Sequence, residues 1–207
     1  MTRIVLVRHG HVAGIQPERF RGRAELELTP LGRAQIQATA EHVTNAWPAA
    51  VAIYTSPMGR CVATGGAIAK ALGLEANVHG GLNDLDYGQW QGRIQDEVRK
   101  EAPEQFHSWR ETPHLVRFPG GETLQELVAR TADVVRYAVE KYPAETVILV
   151  GHDSVNKALL LQLLDQPLSA YWRIAQDPCA INVVDIEGCL VTVRCINSTG
   201  HLQGVNA

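Results

Sequence analysis

Short, wholly apolar runs alternate along the chain with longer stretches in which apolar positions recur at helical spacing. Arg3 to Val7 is a β-branched run that stops at Arg8-His9-Gly10, and Thr146 to Val150 is a more hydrophobic one that stops at Gly151-His152-Asp153-Ser154. Runs of this length without polar alternation predict strands covered on both faces. Ala50 to Tyr54, closed by Ser56-Pro57, reads the same way, and Ala76 to His79 is a shorter candidate. Thr29 suits the N-cap and Pro30 the first position of a helix whose inner stripe is Ile36, Ala40, Val43 and Trp47. Cys61, Thr64, Ile68 and Leu72 mark a second helix, Leu124 through Ala138 a third, and Ala158 to Leu164 a fourth. Ile181 to Ile186 and Leu190 to Ile196, turning at Glu187-Gly188, predict a terminal hairpin.

Strands alternating with helices predict an α/β fold: a three-layer α/β/α arrangement with a mostly parallel central sheet, helices on both faces and one antiparallel edge hairpin. Two segments escape the periodicities. Leu82 to Gly92 is Gly-rich and aromatic with neither period, and Arg93 to Gly121 is polar and proline-punctuated, which suits helical pieces laid over the surface. The expectation is one domain over 1–207 with a cap-like insert around 93–121. Ligands of such sheets bind beyond the carboxyl ends of the strands, and the two best strands each end in a histidine there. His9 and His152 are therefore expected to meet.

Composition narrows the partners. The 207 residues suffice for one sizeable core, and 45% hydrophobic with 20% charged residues is the balance of a packed globular chain. A formal charge of −3 offers no bulk attraction to nucleic acid or to an anionic membrane, so any anion binding has to be local and the arginines must be read by position. No apolar stretch reaches bilayer length, and Ile4 to Val7 meets Arg8 too soon for a signal-peptide core, so a cytoplasmic location is expected. Cys61, Cys179, Cys189 and Cys195 form no C-x-x-C pair and read as free thiols, with a bridge between Cys189 and Cys195 left open.

An arginine directly before a strand-end histidine repels a cation and suits an anion. Guanidinium groups bind phosphate in bidentate fashion, and Arg8 and Arg60 are the candidates. Arg60 opens the helix after Ser56-Pro57, where the helix N-terminus itself favours an anion, so removing it should take away a phosphate contact and not core volume. Beside fixed positive charge His9 stays neutral and nucleophilic, as attack on phosphorus requires. His152 suits donation to the equatorial oxygens, and Asp84 suits protonation of the leaving oxygen if burial or bound phosphate keeps it protonated. Taken singly, each residue has a plainer reading: a structural histidine, a surface arginine, a turn aspartate.

Their joint order forms a pattern. Val7-Arg8-His9-Gly10, then Ser56-Pro57-Met58-Gly59-Arg60-Cys61-Val62-Ala63-Thr64, Leu82-Asn83-Asp84, Gly88-Gln89-Trp90-Gln91-Gly92 and Gly151-His152 resemble the motifs of the histidine phosphatase superfamily, the phosphoglycerate-mutase-like family. Leu28-Thr29-Pro30-Leu31-Gly32, Pro119-Gly120-Gly121-Glu122-Thr123 and Asn197-Ser198-Thr199-Gly200-His201-Leu202 extend the resemblance over nearly the whole chain. It implies a phosphohistidine on His9, a phosphate pocket of Arg8, Arg60 and His152, a proton donor in Asp84, a substrate-binding surface that includes Arg21, Gly22 and Asp153, and no metal or other cofactor. Four positions depart from the pattern. Asp84 stands where this branch usually has glutamate, Ile15 where many members place an asparagine on the phosphate, Arg21 where a small or amide residue is usual, and His11 where glutamate or glutamine is common. Arg21 is a candidate to supply the anion contact that an isoleucine at position 15 is unable to make; Arg23 and His11 have weaker support.

The reading is thus a metal-independent phosphatase for a small phosphorylated metabolite, with specificity expected in His11 to Arg23 and in the 93–121 insert and a homodimer left open. Three alternatives stand beside it. A phosphoglycerate mutase would use the same phosphohistidine, although the family's mutases have a longer insert after the Gly-x-Trp-x-Gly loop. A non-catalytic phosphate-ligand sensor is suggested by Asp84 and Ile15. A metal-dependent hydrolase could be drawn from His9, His11, His152 and Asp153.

Overall fold

The computed structural model describes residues 1–15 and 17–205; Gln16, Asn206 and Ala207, which belong to the expected 1–207 domain, lie outside the described residues. Six strands, β1 (Thr2–Arg8), β2 (Ala50–Thr55), β3 (Ala76–Val78), β4 (Thr146–Gly151), β5 (Ile181–Glu187) and β6 (Leu190–Ser198), form one sheet in the order β3-β2-β4-β1-β5-β6. The β2–β3, β2–β4 and β1–β4 pairs are parallel, whereas β5 runs antiparallel to both β1 and β6. The fold is thus the expected three-layer one, with the hairpin completing one end of the sheet.

Alternate strand residues feed two cores. Ile4 and Leu6 of β1 and Val147 and Leu149 of β4 face the larger one, whereas Val5, Val7, Ile148 and Val150 face the other. The helices α1 (Pro30–Ala46) and α2 (Gly59–Leu72) cover the second face, and α5 (Leu124–Lys141) and α6 (Asp153–Leu163) the first. Thr29 caps α1 by accepting from the Gly32 N–H at 3.0 Å, and Thr123 with Glu126 forms a capping box on α5. The 93–121 segment folds as α3 (Gln95–Glu101), α4 (Pro103–Glu111) and a 3₁₀ turn at Pro113–Leu115, anchored by buried Val98, Trp109 and Phe118. The aperiodic 82–92 stretch holds a 3₁₀ turn at Gly88–Trp90, and a further 3₁₀ segment at Leu168–Arg173 had no sequence signal. All four cysteines are free.

The connections from β1 and β4 leave in opposite directions, α1 toward β2 and α6 toward β5. A crevice therefore opens between the carboxyl ends of these two adjacent parallel strands. Arg8 and Gly151 are register partners there, so the residues that follow each are placed side by side.

Candidate active site

His9 and His152 leave that strand edge together, with ring centroids 5.2 Å apart in an edge-on arrangement. The His9 backbone is held from two sides, its N–H donating to the Gly151 carbonyl and its carbonyl accepting from the Cys179 N–H. Its side-chain Nδ1 lies 2.7 Å from the Gly10 carbonyl, which can only accept. Nδ1 therefore carries the hydrogen, and the Nε2 lone pair is free. Burial, then His152, Arg8 and Arg60, hold the His9 pKa well below that of an ordinary histidine, so the ring is neutral at pH 7. Burial and Arg60 depress His152 likewise.

Arg60 is 1% exposed. Its Nη1 donates to the Ala24 carbonyl at 2.9 Å and its Nη2 to the Gly22 carbonyl at 2.6 Å, so it fastens the 22–24 loop over α2. This corrects the expectation that Arg60 contributes no core volume: its truncation would leave two carbonyls and Asp84 without their donor, at about 1–3 kcal/mol for each buried group. The first turn of α2 is also not vacant for an anion, because the Gly59 N–H donates to Glu25. What Arg60 offers an anion is its Nε, which is buried and has no partner among the described residues, and Arg8 offers the same atom in the same condition while its Nη1 donates to the Gln176 carbonyl.

Asp84 is 4% exposed and close to both groups, with Oδ2 3.1 Å from Arg60 Nη2 and 3.3 Å from His152 Nδ1. Nη2 has two hydrogens but three acceptors within reach: the Gly22 carbonyl, Asp84 Oδ2 and His152 Nδ1. A proton on Oδ2 resolves the shortage, and burial, opposed by Arg60, does raise the Asp84 pKa above that of an ordinary carboxyl. Oδ1 accepts from the Leu85 N–H at 2.8 Å and from the Ser154 hydroxyl. His152 takes its own hydrogen on Nε2 and donates it to Ser56 Oγ at 2.8 Å, which leaves its Nδ1 to accept the Asp84 Oδ2 proton.

A cavity of about 260 Å³ opens on this assembly. Of the expected residues, Arg8, Arg21, Gly22, Asp84 and Asp153 are on its wall; Arg60 and His152 are buried behind it against Asp84, and His9 is buried against the His152 ring. Ile15 is also on the wall, as are Gln95, Trp109 and Arg110 from the insert. Burial would raise the Asp153 carboxyl, but Lys157, Arg8 and Arg21 outweigh it and keep Asp153 ionised. His11 is turned away, its Nδ1 2.9 Å from the Thr29 hydroxyl. Arg23 has a structural role: it binds Asp86, Glu122 and the Asp84 carbonyl. A larger groove of about 720 Å³ along α5, α6 and the β5–β6 hairpin contains none of the motif residues.

Several residues here lacked a sequence signal. Arg130 of α5 donates to the carbonyls of Gly81, Asn83 and Asp84 and pairs with Glu122, pinning the loop that carries Asp84. Trp172 enters from the 3₁₀ segment. Lys157 was legible in principle, since it stands one helical turn after Asp153 in α6. The set drawn for a metal, His9, His11, His152 and Asp153, does not assemble: among the described residues no group of three or more His, Cys, Asp or Glu side chains is placed to hold a metal ion.

The sequence model of the histidine phosphatase superfamily (branch 1) matches residues 4–199, and the chain belongs to that superfamily. Its class is that of a phosphatase hydrolase. Phosphoserine phosphatase 1 of Hydrogenobacter thermophilus is 29% identical over 202 residues, 98% of this chain and 95% of the relative. Glucosyl-3-phosphoglycerate phosphatase of Mycobacterium tuberculosis is 30% identical over 179 residues, covering 81% and 77% respectively. Among solved structures, Bacillus stearothermophilus YhfR aligns with a TM-score of 0.91 at 25% identity, over 98% of this chain and 100% of that one.

Proposed function

We propose that the chain hydrolyses small phosphate monoesters without a metal, through a phosphohistidine on His9. The carrying observation is the pairing of a neutral His9 with two buried arginine Nε atoms; among the described residues neither these atoms nor the His9 Nε2 has a hydrogen-bond partner. Buried donors of this kind match a phosphoryl group's equatorial oxygens, and two fixed cations stabilise the charge that develops there. In the first step Nε2 attacks phosphorus, the P–O bond to the alcohol breaks, and the alkoxide takes the Asp84 proton. Bound phosphate dianion raises the Asp84 pKa further and so keeps that proton in place. In the second step Asp84, now a base, takes a proton from water; the water oxygen attacks phosphorus, the P–N bond breaks, and His9 returns to neutral.

Phosphoryl transfer to a second substrate alcohol would use the same intermediate, and the compactness of the 93–121 insert supports water as the acceptor. The relatives named above act, by name, on phosphoserine and a glucosyl-3-phosphoglycerate, which supports a small phosphorylated metabolite as substrate. A cytoplasmic location, where small phosphorylated metabolites are found, belongs to the same proposal. Among the described residues no helix is long and apolar enough to cross a membrane. Hydrolysis of nitrophenyl phosphate should persist in excess EDTA and be blocked by vanadate, a mimic of five-coordinate phosphorus. Loss of activity in chelator, restored by zinc or manganese, would overturn the metal-free scheme.

A further inference from the structure

Asn182 stands between Ile181 and Val183 in β5 with no exposed surface, a polar residue where the strand is otherwise apolar. Its carboxamide faces that of Gln176, which is also buried and lies in the loop between the 3₁₀ segment and β5. Two bonds join them: Gln176 Nε2 donates to Asn182 Oδ1 at 2.7 Å, and Asn182 Nδ2 donates to Gln176 Oε1 at 2.9 Å. Gln176 Oε1 also accepts from Asn156 Nδ2 of α6 at 3.1 Å, and Asn182 Oδ1 accepts from the Asn197 N–H of β6 at 2.8 Å. The second hydrogens of the two amides go to the Ala175 and Leu6 carbonyls. Both N–H groups and both oxygen lone pairs of each amide are thus engaged, which holds the pair in one orientation.

Burying two amides costs desolvation that a leucine in β5 would avoid. What the pair holds in place is a backbone carbonyl. Residues 175–177 belong to neither helix nor strand, so no ladder fixes the Gln176 carbonyl, yet that oxygen accepts from Arg8 Nη1. Among the described residues the buried Arg8 guanidinium makes no ion pair and no other hydrogen bond. We infer that Gln176 and Asn182, steadied by Asn156, are positioning residues for Arg8: they fix the acceptor that orients its guanidinium and so aim its unpartnered Nε at the phosphoryl group. The inference rests on the phosphatase reading. An arginine fork binds an anion well only when its plane is set, and a carbonyl free to swing would let that plane turn.

Paired replacement separates positioning from stability. Asn182→Leu alone strips the Gln176 amide of two bonds, whereas Gln176→Met with Asn182→Leu exchanges both amides for apolar groups of similar shape and should regain part of the urea midpoint that either single change loses. Activity should not follow. The pair should weaken vanadate binding, and lower kcat/KM for nitrophenyl phosphate, by roughly tenfold or more, the size of one charge-assisted contact. In an Arg8→Ala background the same pair should change the vanadate Kd by less than about twofold, since no guanidinium is left to aim. Asn156→Ala removes a single bond to the Gln176 amide and carries the test if the pair fails to fold, with a loss of about threefold that likewise disappears in Arg8→Ala. Wild-type vanadate affinity in the folded variant, activity that recovers in step with the urea midpoint, or an equal loss in Arg8→Ala would each overturn the inference and leave the phosphatase reading standing. A wild-type chain that neither hydrolyses nitrophenyl phosphate nor binds vanadate would remove the phosphatase reading and this inference with it.

Discussion

Asp84 reaches one methylene less far than a glutamate in its place, and its surroundings compensate by position. Ser154 and the Leu85 N–H hold Oδ1, while Oδ2 is left toward Arg60 and His152. If Asp84 protonates the leaving oxygen, its loss should hurt most when that oxygen is a poor leaving group. For Asp84→Asn we expect a fall on the order of 10² or more in single-turnover phosphoryl transfer from an alkyl phosphate and a much smaller fall with nitrophenyl phosphate. The wild-type kcat/KM should decline toward acid as His9, depressed below the ordinary histidine range, takes up a proton. It should decline toward alkali as Asp84, raised above the ordinary carboxyl range, loses its own. Only the alkaline limb should vanish in Asp84→Asn. Equal losses on both substrates with that limb intact would reduce Asp84 to a loop-ordering residue. The convergence of Arg8, His9, Arg60, Asp84 and His152 was legible because the proposed chemistry needs those residue types at strand ends and in loops between recognisable elements. Lys157 was marked only by its place one helical turn after Asp153, and Arg110 and Trp172 by nothing, since an exposed arginine and a half-buried tryptophan each fit an ordinary helix or turn as well.

At the scale of elements, the loop that follows β1 and carries His9 is seated on α1 by contact between backbones. A Cβ on Gly32 would lie 2.0 Å from the His11 carbonyl oxygen, and one on Gly10 would lie 2.8 Å from the Gly32 carbonyl oxygen. Glycine to alanine inside a helix normally stabilises by about 0.5–1 kcal/mol. At Gly32 the sign should reverse: Gly32→Ala should cost about 1–3 kcal/mol in urea unfolding, as overpacking does, and lower activity by displacing the His9–His11 segment. Gly66 of α2, where an added Cβ meets nothing within 4 Å, provides the control, and Gly66→Ala should stabilise. Unchanged stability in Gly32→Ala would show that the loop does not depend on this approach. Strands and long helices followed from hydrophobic period, but the loop of Asp84 did not. Its shape comes from Arg130 and Arg23 binding backbone carbonyls across a long sequence separation, an interaction that leaves no local pattern.

Across the whole molecule, a chain with formal charge −3 brings Arg8, Arg21, Arg110 and Lys157 to one small cavity, with Arg60 buried beside it. The topology accounts for this convergence: β1 and β4 are adjacent and parallel, and their connections part in opposite directions, so residues far apart in sequence share one crevice. That much of the fold was readable from alternating strands and helices, as was the meeting of His9 with His152. The central claim is that the crevice makes His9 a covalent carrier of phosphate. Its most direct test is to mix the chain with a phosphate monoester, quench in alkali within the first turnover and locate the phosphoryl group by mass spectrometry. A phosphoryl group on His9 that forms as the alcohol is released and decays as inorganic phosphate appears is the predicted result. Alcohol release with no phosphoenzyme, or with the label on any other residue, would contradict it.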